Sequence, residues 1–69
     1  MIDNFNYLIG RSYTFPDGNR IEIMQIKERD NNEPWITFQV YDGPGIPRRT
    51  VMSMSDFIGY YGHLFPEEN

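Results

Sequence analysis

From Pro34 to Tyr41 the chain alternates without a break. Ile36, Phe38 and Val40 fall on one side of an extended strand, and Trp35, Thr37, Gln39 and Tyr41 fall on the other. A period of two fits a β-strand with one buried face, because successive side chains point to opposite sides of the pleat. The polar stretch Arg29 to Glu33 precedes this strand, and Asp42-Gly43-Pro44-Gly45 follows it as a tight turn. A strand with one apolar face needs neighbours to pair with and a cover for that face. The rest of the chain has to supply both. With Ile36, Phe38 and Val40 turned inward, Trp35 and Tyr41 are left at least partly exposed.

The pairing partners are legible on either side. Arg11 to Phe15 alternates, with Tyr13 and Phe15 on one face. Pro16-Asp17-Gly18-Asn19 is turn chemistry: proline fixes φ and glycine accepts positive φ. Arg20 to Glu28 is isoleucine-rich, but its phase slips. Ile21 and Ile23 share a face, and the apolar positions then move to Met24 and Ile26. A slip inside one strand marks a bulge or sharp bend, and small barrels need such bends to close. Arg48 to Met52 reads as a further short strand around Val51.

The ends read as helical. Asp3 can cap a short turn over Asn4 to Leu8, with Phe5, Leu8 and Ile9 on one side and Gly10 as its end. Ser53 with Asp56 three residues on has the form of a capping box. Phe57, Tyr60, Tyr61 and Leu64 follow at helical spacing. Gly59 and Gly62 weaken that helix by about 1 kcal/mol each relative to alanine. Two to three turns are expected, ending before Pro66, with residues 66–69 as a flexible tail.

These elements predict a mainly β fold with a short C-terminal helix, in a single domain over residues 1–69. The first choice is a small, partly open antiparallel barrel of 4–5 strands. The second is an α+β arrangement, a flat sheet with one helix packed across it. A 69-residue chain buries only ~60% of its unfolded surface. It has no cysteine, which removes disulfides and thiolate metal sites. Dense packing and oligomerisation remain as means of stabilisation. Aromatic residues supply the packing: Phe 5, Tyr 5 and Trp 1 are more than one core of this size needs. Some of the Tyr and Trp rings therefore belong at the surface or in an interface.

Several function classes lose ground at this level. His63 is the chain's single histidine, and no serine or cysteine nucleophile is placed beside it by the sequence. Its position near a helix end suits contact with the last carbonyls or solvent. Glu28, Asp30 and Glu33 alternate with Lys27 and Arg29 in the manner of a solvated loop. Asp30-Asn31-Asn32-Glu33 lacks the ligand spacing and glycine of a calcium loop. Gly43-Pro44-Gly45 lacks the run of N–H donors a phosphate loop uses, because Pro44 removes one. No enzymatic activity, cofactor or metal is expected. No apolar run approaches the ~20 residues of a membrane span, and MIDNFNYLIG has no basic region before an apolar stretch. A cytoplasmic location is expected, and no membrane partner.

Binding remains. A protein partner, or a second copy of the chain as a homodimer, would use Trp35 and Tyr41, because binding energy concentrates on such rings. The C-terminal helix is the competing cover for that face. The alternative is a nucleic-acid-associated module in which Arg48, Arg49, Arg11 and Lys27 meet phosphate and exposed rings stack on bases. The net charge of -4 counts against that alternative. So does the pitch of a strand, which turns Arg48 and Arg49 to opposite faces.

The stretch WITFQVYDGPGIPRRTV, Trp35 to Val51, resembles the second half of SH3 domains. In that family a tryptophan follows an acidic loop and opens an alternating strand. A polar turn, a glycine, an apolar residue, a proline and a valine come next. Here those pieces are Trp35, Phe38, Val40, Asp42, Gly45, Ile46, Pro47 and Val51, with Glu28, Asp30 and Glu33 before the tryptophan. The resemblance implies an SH3-like barrel and an aromatic groove for proline-rich peptides, with Trp35 and Pro47 on its floor and Tyr13 in an aromatic role. The departures are Thr50 where the family usually has tyrosine, a segment one residue shorter between Gly45 and Pro47, and no ALYDY-like opening. The overall texture also resembles the small uncharacterised single-domain proteins of tailed bacteriophages, particularly those of cyanobacteria. That likeness implies an accessory protein in the host cytoplasm, acting on a host or phage partner.

Overall fold

The alternating stretch forms β3 (Pro34–Tyr41) at the centre of a single antiparallel sheet, in a computed structural model that describes residues 2–29 and 32–66. β1 (Ser12–Thr14), β2 (Arg20–Glu28), β3 and β4 (Arg48–Ser53) lie side by side in chain order. The sheet is a meander, and β1 and β4 are its edges. The mainly β class with a C-terminal helix stands. The four antiparallel strands expected of a small, partly open barrel are present, and among the described residues the edges β1 and β4 do not pair, so the sheet is open. The helix crosses one face of the sheet, as in the arrangement weighed second. Asp30, Asn31 and the segment 67–69 lie outside the described residues, as do the side chains of residues 2–4, including the Asp3 expected as a cap.

The phase slip in β2 is a bulge. Ile23 pairs with Phe38 and the next pair is Gln25 with Thr37, so Met24 is the extra residue and its side chain is 40% exposed. The bulge returns Ile26 to the inner face, opposite Ile36. The first turn closes as its residues dictate. Gly18 takes φ 94°, which a side chain rarely tolerates. The Asn19 N–H donates to the Asp17 carboxylate at 2.9 Å.

The core lies on one face of the sheet. Ile21, Ile23, Ile36 and Phe38 come from the strands, and Leu8, Met54, Phe57 and Phe65 cover them. Leu8 belongs to a 3₁₀-helix, Ile2–Leu8, which carries Phe5 onto the core but leaves Ile9 48% exposed, off the shared side expected for it. At the other end Ser53 is the helix cap: it is extended, and its Oγ accepts the Asp56 N–H at 3.2 Å. Such a cap contributes about 1 kcal/mol. α1 (Met54–Tyr61) follows, then a 3₁₀ turn, Gly62–Leu64. Phe57 and Tyr61 lie 5.5 and 5.8 Å from the Phe38 ring, which fixes α1 on the inner face. Tyr60, read at core spacing, instead points outward and is 68% exposed. Tyr13 and Phe15 meet edge to face at 5.1 Å and pack on the same core.

Candidate functional site

Covering one face leaves the other open. Ile36 and Phe38 are buried inward, so Trp35, Thr37, Gln39 and Tyr41 project from the outer face of β3. Trp35 and Tyr41 are half-buried, and neither packs against the core cluster. The C-terminal helix, the competing cover for these rings, lies on the opposite side of the sheet.

The strand registers decide which side chains surround the rings. Arg20 pairs with Tyr41, Lys27 with Trp35, Glu22 with Gln39, and Gln39 with Arg49. Thr37 sits between Gln25 and Val51. At one end the Arg20 Cζ lies 4.1 Å from the Tyr41 ring centroid, and the Tyr41 hydroxyl donates to Glu22 Oε1 at 2.9 Å. Arg20 also approaches Glu22 at 3.8 Å. At the other end the Arg29 Cζ lies 4.7 Å from the Trp35 ring centroid. The two pairs are six positions apart on β3, about 20 Å along the strand. The Glu22 hydrogen bond holds the proton on Tyr41 and is the main reason its pKa is raised. Burial and the Glu22 charge push the same way, and Arg20 opposes them.

The candidate residues divide between the two faces. Trp35, Tyr41, Lys27 and Arg49 share the outer face. Tyr13 is on the inner face, 6.3 Å from Phe65. Arg48 also turns inward and pairs with Asp42, and Arg11 donates to the Pro66 carbonyl at 3.0 Å. The four cations of the nucleic-acid alternative therefore do not form one surface. Nor do Trp35 and Pro47 share a floor. Trp35 is opposite Ser53, and Pro47 precedes Ser53 by six residues, about 20 Å of strand. Arg20 and Arg29 were missed as site residues. Their signal was phase: Arg20 alternates with Ile21, and Arg29 follows Lys27 by two residues beyond the slip.

Two clefts flank the core. One, of about 310 Å³, has Ile21 and Val40 as its floor and Asp17, Asp42 and Arg48 at its rim. The other, of about 380 Å³, is apolar, between Phe5, Pro34, Met54 and Ile58, with Glu33 at its edge. His63 is exposed and lines neither of them. Among the described residues no helix is long and apolar enough to cross a membrane.

No protein-family model matches the chain, and neither the curated proteins nor the solved structures contain a match to it.

Proposed function

We propose that this chain is a non-enzymatic protein-interaction module that meets its partner on the outer face of the sheet. One observation carries the reading. An indole and a phenol stand on a face that the chain's own helix leaves open, away from the core cluster. Rings of this kind bury large area at small entropic cost, which is why they dominate interface energetics. A sheet face is also rigid, so little ordering is lost when a partner docks. The phage-like texture of the sequence suggests a host or phage protein as that partner.

The test is site-specific cross-linking. Val51 is exposed on the outer face, and Tyr60 is exposed on the far side of α1. A photo-reactive benzoylphenylalanine in place of Val51 should give one saturable adduct in a lysate of the producing cell. The same probe in place of Tyr60 should give none. Excess unlabelled protein should suppress the adduct, and excess Trp35→Ala/Tyr41→Ala protein, folded by circular dichroism, should not. Adducts formed from position 60 but not from 51 would reject the outer face.

A further inference from the structure

The outer face does not share the sign of the chain. The protein carries a net charge of -4, yet Arg20, Lys27, Arg29 and Arg49 all project from or over this face. The strand carboxylate among them is Glu22, already bonded to Tyr41. The other described carboxylates sit elsewhere: Asp17 and Asp42 in turns at one end, Glu28 at the last position of β2 opposite Pro34 and in phase with inward Ile26, Glu33 beside the apolar cleft, Asp56 on α1. Among the described residues no carboxylate lies within ion-pair distance of Lys27, Arg29 or Arg49.

We propose that the outer face binds an acidic, extended segment of another protein, with Arg20 and Arg29 as its two carboxylate clamps. The proposal rests on the outer face being the binding surface and names the chemistry of its partner. Each clamp is a guanidinium laid over a ring, at 4.1 Å on Tyr41 and 4.7 Å on Trp35. A guanidinium held this way loses little freedom on binding. Arg29 keeps its N–H edge for bidentate pairing with a carboxylate, and Arg20, whose Nη1 is 3.8 Å from Glu22, offers its remaining N–H groups. The clamps are about 20 Å apart, the length of roughly six extended residues. Lys27 and Arg49 add positive charge along that track, which steers an acidic chain onto it.

The same geometry separates this partner from single-stranded nucleic acid. Stacking of bases needs open ring faces. Here each ring already has a guanidinium over one face. The overall negative charge also opposes a long polyanion.

The probes are a fluorescein-labelled peptide of alternating glutamate and serine, its glutamine-for-glutamate counterpart, and labelled deoxythymidine decamer. Fluorescence anisotropy with the full chain should show saturable binding of the acidic peptide alone. Raising salt from about 50 to about 500 mM should weaken it at least about tenfold. Arg20→Gln/Arg29→Gln should weaken it at least about tenfold as well, and Arg48→Gln, on the inner face, should not. Lys27→Gln/Arg49→Gln leaves both ring contacts in place and serves as a second variant, with a smaller loss expected. Three results would each overturn the proposal: no saturation by the acidic peptide, tighter binding of the decamer, or equal losses in Arg48→Gln and the clamp variant. A cross-linked partner at position 51 that survives both high salt and Arg20→Gln/Arg29→Gln would also overturn it, while leaving the outer face as the interface. Concentration-dependent self-association abolished by the clamp variant would assign the face to a second copy of this chain and overturn it too.

Discussion

Phe57 is the side chain on which the fold's two layers depend. It is fully buried, with Phe38 of β3 at 5.5 Å, Tyr61 at 5.5 Å and Phe65 at 6.0 Å. Phe57→Ala removes the ring that joins α1 to the sheet and the C-terminal turn to both. Truncations of this kind cost about 3–5 kcal/mol. A 69-residue domain has roughly 3.5–10 kcal/mol in total, at about 0.05–0.15 kcal/mol per residue. The alanine variant should therefore be close to unfolded at room temperature. Phe57→Leu keeps an apolar side chain in the site and should lose about 1–2 kcal/mol. With an m-value near 1 kcal/mol/M, typical of a small domain, its urea midpoint should fall by about 1–2 M. Trp35 fluorescence reports the sheet and the 222 nm band reports α1. The two should move together, because one core unites both layers. A Phe57→Ala protein less than about 1 kcal/mol below the parent would refute the packing of α1 on the sheet. So would a helix signal that melts well before the Trp35 signal.

Two glycines should respond in opposite directions. Gly59 is helical, with nothing within 4 Å of an added Cβ, so Gly59→Ala should gain about 0.5–1 kcal/mol. Gly18 also has open space but sits at φ 94°, so Gly18→Ala should lose about 1 kcal/mol. Thermal melts of the two variants against the parent decide both. The Tyr41 phenol should ionise above the ordinary value near 10, followed as tyrosinate absorbance, and Glu22→Gln should bring it back down. The raised value has a sign for stability. The folded chain keeps this proton after the unfolded chain has released it. The contribution is complete below the ordinary phenol value and is lost as pH rises through the raised one. Glu22→Gln should flatten that loss in urea titrations at alkaline pH.

How much of this was legible divides along sequence separation. The period over 34–41, the slip after Ile23, the turn at 16–19 and the Ser53 cap each depend on residues a few positions apart, and each appears where its local chemistry puts it. The face taken by the helix does not follow from its own spacing. Phe57, Tyr60 and Tyr61 are all compatible with burial, and only contact with Phe38 selects Phe57 and Tyr61 and turns Tyr60 out. The cations on the outer face are less visible still. Arg20 reaches Tyr41 across two strands, a pairing that exists only once the β2–β3 register is set. Arg48 and Arg49 form the sequence's one basic pair, but Arg48 is consumed by Asp42, so adjacency in the chain pointed to the wrong cations.

The bulge joins the two kinds of information. Had β2 run straight through Met24, Lys27 would share the face of Ile23, and Ile26 would lie outside. The extra residue reverses that phase. Ile26 turns in against Ile36, Lys27 comes out opposite Trp35, and Arg29, two residues on, swings over the indole. A core requirement for one more isoleucine and a surface with two more cations are thus met by the same irregularity. The charge of the outer face follows from how β2 fills the interior, which is why net composition, acidic throughout, gives no sign of it.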